Sequence, residues 1–127
     1  MSYITKLDNH ELEVLRNHLT GNFEDFSKFC FKILTGQKLM HVDYYVVLFE
    51  AIQKLIDLEE NRMIINIPPR AGKTLIVSQF LPLFAWVRNP SGQTILTGFN
   101  SDVLAECSGY IRTIMSDDDF RRVFPDV

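Results

Sequence analysis

The sequence predicts an α/β fold in which a helical N-terminal region precedes the first strands of a parallel sheet. Apolar residues recur at helical spacing through most of residues 8–58. Two short apolar runs follow, at 62–67 and 93–99, and a helical pattern over 74–87 separates them. Strands that alternate with helices are typical of parallel sheets. Because two strands do not form a stable parallel sheet, we expect the front part of an incomplete domain, with a helical region at 1–60 and a βαβα core at 61–127.

Three helices are predicted before the first strand, over residues 8–18, 22–34 and 42–58. Asp8 and Asn22 are suitable N-caps for the first two, because their side chains can accept hydrogen bonds from the first turn. The second helix carries an aromatic and aliphatic stripe that begins at Phe23 and indicates a core-facing surface. A break at residues 35–37 ends this helix.

Helices are also predicted on either side of the second strand. The helix over 74–87 contains Pro82, which predicts a kink or an early end. Asn100 or Ser101 is expected to cap a helix that extends to about residue 115. The acidic run 117–119 fits the start of a last short helix, where it favours the helix dipole rather than a metal site.

Composition excludes several classes of protein. The chain of 127 residues is 46% hydrophobic and 23% charged, as is ordinary for a soluble protein. Its net charge of −3 gives no global basic field for nucleic acid. Cys30 and Cys107 are expected to be reduced core thiols. We find neither a signal peptide nor an apolar run long enough to span a membrane, so an intracellular location is predicted.

The most informative stretch is "IINIPPRAGKT", where the first predicted strand turns into a helix. Gly72 lets the backbone approach a phosphate, Lys73 offers a positive charge, and Thr74 offers a hydroxyl for Mg²⁺. The start of the following helix points its positive end at the same anion. The alternative to a phosphate-binding loop is an ordinary turn between strand and helix, with Lys73 exposed to solvent.

This loop departs from the usual phosphate-binding spacing. A glycine is expected at position 67, which is Ile67 here, and Pro68 and Pro69 are expected to shape the turn by fixing φ. Arg70 would lie beside the γ-phosphate, where a cation stabilises the charge that develops during phosphoryl transfer. Pairing of Arg70 with Glu59 or Glu60 is an equally good reading of the residues alone.

Taken with its surroundings, "RMIINIPPRAGKT" resembles the nucleotide loop of the large terminase subunit of tailed bacteriophages, a P-loop ATPase that packages DNA. Three further stretches are similar to the same family: "HVDYYVVLFEAIQKLI", "RNPSGQTILTGFNSDVLAECSGYIRTIM" and "SDDDFRRVFPDV". The resemblance covers roughly residues 23–127. It implies a parallel P-loop NTPase sheet, ATP and Mg²⁺ as cofactors, and a bacterial cytoplasm as the location.

Carried over by position, the resemblance implies a role for each residue of the loop. Arg70 would act as a catalytic arginine finger, Lys73 would bind phosphates, and Thr74 would bind Mg²⁺. His41 matches the part of the family that lies close to the adenine. The expected nucleotide-binding residues are therefore His41, Pro69, Arg70, Ala71, Gly72, Lys73 and Thr74. Asn100 and Ser101 are candidates for contact with phosphate or DNA, although helix capping explains them equally well.

In the intact proteins of this family, ATP hydrolysis drives DNA translocation. The resemblance therefore implies double-stranded DNA, the small terminase subunit and the portal as partners. The acidic residues that order Mg²⁺ and activate water are not found in these 127 residues, so hydrolysis by this chain is left open. Two alternatives remain: part of another P-loop ATPase such as a helicase, or a non-catalytic prophage remnant that acts as an interaction module.

Overall fold

The structure, a computed structural model, describes residues 3–59, 61–66, 74–98 and 100–127. A short 3-10 helix (Tyr3–Lys6) precedes α1 (Asn9–Gly21), α2 (Phe23–Thr35) and α3 (Asp43–Ile56). A π-helix (Thr74–Phe80) then leads directly into α4 (Leu81–Arg88), and α5 (Ser101–Ser116) and α6 (Asp118–Val123) complete the described chain.

The helix starts lie where local sequence predicts them. Asp8 and Glu11 form a reciprocal capping box, with a 2.8 Å hydrogen bond from the Glu11 amide to the Asp8 carboxylate. The Asn22 side chain accepts from the Asp25 amide at 3.0 Å and caps α2. The predicted break after α2 is also confirmed, because Gly36 ends the helix with a left-handed φ of 73°.

The predicted α/β fold is wrong: within the described residues there is no strand, and therefore no parallel sheet. The described parts of both predicted strands, 62–66 and 93–98, run as unpaired chain at the surface. Ile64 is 89% exposed and Ile95 is 88% exposed, whereas a strand of a parallel sheet is covered on both faces. Hydrophobicity alone predicts buried strands for these apolar runs, but helical side chains fill most of the interior instead.

Helices α2 and α4 supply the centre of the core. Phe23 and Phe26 of α2 both pack against Phe84 of α4, with ring centroids 5.2 Å apart in each pair. The same core includes Ile114 of α5 and Phe120 of α6, which are 0% and 1% exposed. Side chains from both sides of residue 60 therefore share one core, while the proposed division at that residue stays a prediction.

Pro82 is the second residue of α4 and follows the π-helix closely; the predicted early end is wrong, because the helix continues to Arg88, and the predicted kink stays a prediction. Proline has no N–H to donate, and its ring clashes with the carbonyl four residues earlier, here that of Ser78. The turns before it are widened into a π-helix, and regular α4 begins at Leu81. This π-helix buries Gln79, whose Oε1 has no hydrogen-bond partner in the described part of the chain.

A polar network holds the end of α3 to two neighbouring elements. The Gln53 side chain accepts a 2.8 Å hydrogen bond from the Phe23 amide and donates to Asp57 at 3.2 Å. Arg88, at the end of α4, donates to the Asp57 carboxylate at 2.9 Å. The hydrogen bond from Arg88, followed by that from Gln53, lowers the pKa of Asp57 below its ordinary value.

This lowered pKa predicts how acid affects stability. Because the folded pKa of Asp57 lies below its unfolded value, the carboxylate stabilises the fold above the unfolded pKa, and this contribution is lost as pH falls through the folded pKa. We expect Asp57→Asn to lower the unfolding free energy at neutral pH by less than about 1 kcal/mol, since the pair is partly exposed. Urea unfolding at pH about 7 and about 3 should show the difference shrinking in acid. Asp126→Asn, at an exposed position, is the control. If Asp57→Asn lowered the unfolding free energy equally at both pH values, the Asp57 carboxylate would not be the group responsible.

Candidate functional site

Thr74 is the described residue of the predicted phosphate loop. It is exposed and is the first residue of the π-helix that continues into α4. The rest of the predicted loop, Pro69, Arg70, Ala71, Gly72 and Lys73, lies outside the described residues. The same is true of Glu60, one of the two alternative partners for Arg70. Their assigned roles therefore stay predictions, while the helix predicted from Thr74 onward is present.

The helix that begins at Thr74 is firmly anchored in the core. Its first two turns bury Ile76 and Phe80, which are 1% and 0% exposed, and α4 continues the buried face with Leu83, Phe84 and Val87. Such packing fixes the direction of the helix and leaves its first residue at the surface. A hydroxyl and free backbone N–H groups at a helix start are the groups that an anion or its counter-ion contacts.

Two polar residues that the sequence places at helix starts, the candidate Asn100 and Asp117, act as helix caps. The Asn100 side chain accepts a 2.8 Å hydrogen bond from the Asp102 amide and so caps α5, whose first residue is Ser101. Asp117 accepts from the amides of Asp119 and Phe120 at 2.9 and 3.3 Å and caps α6. Capping accounts for these side chains, as the residues alone allowed.

His41 lies in the segment between α2 and α3, and its side chain is 70% exposed. Its Nε2 is 3.8 Å from a carboxylate oxygen of Asp43, which is itself fully exposed, so this contact is weak. His41 also lines a groove of about 410 Å³. A groove of this size is within the usual range for small-molecule sites, about 300–1,000 Å³.

Three elements form this groove, which we call the α2–α3 groove. Helix α2 contributes one wall, the segment after Gly36 contributes the rim, and the first half of α3 contributes the other wall. Its lining residues are Glu24, Lys28, Lys38, Leu39, Met40, His41, Tyr45 and Phe49.

The polar side of the groove has more positive than negative groups. Its lining includes two lysines, Lys28 and Lys38, one carboxylate, that of Glu24, and the imidazole of His41. Lys28 Nζ lies 3.4 Å from Glu24 Oε1, one helical turn away on α2. Within the described residues Lys38 has no ion-pair partner. The groove is therefore locally basic on a chain whose net charge is −3.

The opposite side of the groove is aromatic. Phe49 is 4% exposed and packs edge-on against Phe23 with centroids 5.8 Å apart, which fixes its position in the core. Tyr45 is half-buried above it, with a centroid distance of 5.9 Å. Burial, and secondarily the neighbouring Tyr44, raise the pKa of Tyr45, so its phenol remains a hydrogen-bond donor at neutral pH.

Sequence reasoning found His41 but missed the residues around it. For Tyr45 and Phe49 the sequence offers only helical spacing, which predicts core-facing positions on the third helix. Lys28 had one local signal, its i, i+4 spacing from Glu24, which predicts an ion pair and no ligand. Lys38 had none, because its approach to α2 depends on how the chain turns after Gly36.

In the described residues no group of three or more His, Cys, Asp or Glu side chains is arranged to hold a metal ion. Nor is any helix there long and apolar enough to cross a membrane. Comparisons with protein-family models, with curated proteins and with solved structures find no match to this chain.

Proposed function

We propose that this chain binds Mg²⁺-ATP as part of an ATPase of the phage large-terminase type, in which hydrolysis drives translocation of double-stranded DNA. Residues 69–74 hold the β- and γ-phosphates and the ion. His41 lies on the side of the base. The loop and the helix from Thr74 onward would form the site without a parallel sheet.

The observation that carries this proposal is the exposed start of a well-anchored helix at Thr74. In the sequence, Gly72 and Lys73 come directly before it, in the order that a phosphate site requires. The α2–α3 groove supports the same reading, because it provides an aromatic wall and a basic rim at His41. Each of these features alone is common in proteins, and the proposal assigns them to two parts of one nucleotide, the outer phosphates and the base.

Titration of the full chain with ATP, with and without Mg²⁺, tests the proposal. We expect Mg²⁺ to strengthen ATP binding, and we expect Thr74→Val to remove that strengthening while Thr74→Ser retains it. One lost hydroxyl interaction corresponds to roughly 1 kcal/mol, or about fivefold in affinity. Because Thr74 is exposed, both variants should keep the thermal stability of the parent. Absence of ATP binding by the parent chain at millimolar ATP would refute the proposal.

A second candidate, the interaction module, is favoured by apolar side chains that are strongly exposed. They include Val47 at 68%, Leu58 at 85%, and the isoleucines of the two unpaired segments. Light scattering on the same samples separates the two functions. The interaction module would be favoured if the chain forms an oligomer, does not bind ATP, and keeps the same oligomer size when ATP is added.

A further inference from the structure

We propose that the α2–α3 groove is a site for a nucleoside phosphate, with the base against Tyr45 and the phosphate held by Lys28 and Lys38. This inference deepens the proposed function and rests on it for the choice of a nucleotide as ligand. It depends on none of residues 69–74, so the two ideas are tested by different side chains.

The charges of the groove favour an anionic ligand, because the lining has two lysines and one carboxylate. Glu24 compensates Lys28 at 3.4 Å, and Lys38 is left without a carboxylate among the described side chains. A phosphate between the two ammonium groups would satisfy Lys38 and share Lys28 with Glu24. A neutral base or an apolar ligand would gain nothing from these exposed charges.

The aromatic wall accounts for the other half of the ligand. Tyr45 is only partly covered, while Phe49 beneath it is buried and held by Phe23. A planar base can therefore pack on Tyr45 without displacing the core, and α3 holds the ring in place. The volume of about 410 Å³ accommodates a base, a sugar and one phosphate.

Two sources supply the same chemical unit: a free nucleotide, or one nucleotide residue of a nucleic-acid strand. Base stacking with a basic rim is also how proteins hold single strands without reading sequence. The chemistry of the groove is shared by both sources, and the ligands used in the test separate them.

The experiment follows backbone amide NMR shifts of the full chain during titration with AMP, with adenosine and with a short oligothymidylate. We expect AMP to shift amides of residues 24–28 and 38–49. Lys28→Met and Lys38→Met keep the aliphatic stems and remove the charges, and each should weaken AMP binding about three- to fivefold while adenosine binding stays unchanged. Tyr45→Leu should weaken binding of both ligands. Lys54→Met, on the exposed last turn of α3, is the matched control.

The possible results separate the two proposals. Failure of AMP to bind, or unchanged AMP affinity in the Lys28→Met, Lys38→Met double variant, would overturn the groove assignment. If the lysine variants weaken AMP binding while Thr74→Val leaves Mg²⁺-ATP binding unchanged, the groove proposal is supported and the loop proposal fails. If Thr74→Val weakens Mg²⁺-ATP binding while the lysine variants leave AMP binding unchanged, only the groove proposal fails. Tighter binding of the oligothymidylate than of AMP, with the same lysine dependence, identifies a strand as the source, and the opposite order identifies a free nucleotide.

Discussion

Replacing Phe84 with alanine is expected to lower the free energy of unfolding by about 3–5 kcal/mol, as for other fully buried phenylalanines. Phe84 is 0% exposed, and its ring packs at 5.2 Å against both Phe23 and Phe26. Each aromatic pair contributes about 0.5–1.5 kcal/mol beyond the area it buries. The guanidinium carbon of Arg88 also lies 5.5 Å from the ring centroid, so truncation removes a cation–π contact as well.

A loss of this size is a large part of the stability of a small domain, which is about 5–15 kcal/mol in total. The Phe84→Ala chain should therefore unfold at much lower urea, or be unfolded in its absence. Urea denaturation followed by circular dichroism measures this directly. Phe84→Leu retains most of the volume and should lose less, and Tyr3→Ala removes a ring that is 57% exposed and should change stability by about 0.5 kcal/mol or less.

The stability of Phe84→Ala also tests the helical architecture, in which α2 packs against α4. In the helical core, Phe84 is the ring that links α2 to α4, so its removal should be far more damaging than removal of an exposed ring. If Phe84→Ala and Tyr3→Ala had similar small effects, the core could not be centred on the contact between α2 and α4.

Local signals in the sequence were sufficient for the helices. Asp8, Asn22 and Asn100 cap the helices that follow them because the hydrogen bonds of a cap join residues two or three positions apart. The break at Gly36 is likewise set by a single residue and its own backbone. Such features need no knowledge of the rest of the fold.

The prediction of two strands is wrong because strand pairing depends on residues that are distant in the sequence. A run such as 62–67 reads as a buried strand on hydrophobicity alone, yet a strand exists only where a second segment satisfies its backbone groups. Here Ile65 is half-buried and packs against the helical core, whereas Ile64 is exposed. Periodicity could not show that phenylalanines from α2 and α4 would occupy the interior first.

The candidate site likewise has a local part, which the sequence predicts, and a non-local part, which it does not. The order of residues from Gly72 to Thr74 is local, and the helix start that it predicted at Thr74 is present. The α2–α3 groove is not local, since Lys28, Lys38 and Tyr45 belong to three different elements. The sequence identified one residue of that groove, His41, and only through a family resemblance.

The remaining prediction concerns the residue on which the nucleotide proposal most depends. Lys73→Ala is expected to weaken ATP binding by about 1.5–3 kcal/mol, or roughly 10- to 150-fold, because a charge-assisted contact to phosphate is lost. Thermal stability should be unaffected if the ammonium group contacts only the ligand. Lys54→Ala removes an exposed lysine from the last turn of α3 and is the matched control.

Comparison of ATP with AMP makes the test of Lys73 specific. A lysine that contacts the outer phosphates acts on ATP, whereas AMP lacks those phosphates, so Lys73→Ala should leave AMP affinity within about twofold of the parent. The lysines of the α2–α3 groove should show the complementary behaviour, with AMP binding sensitive to Lys28 and Lys38. If Lys73→Ala weakened AMP and ATP equally, the lysine would act on the fold or on the groove rather than on the outer phosphates. Unchanged ATP affinity in Lys73→Ala would remove the phosphate site from the loop altogether.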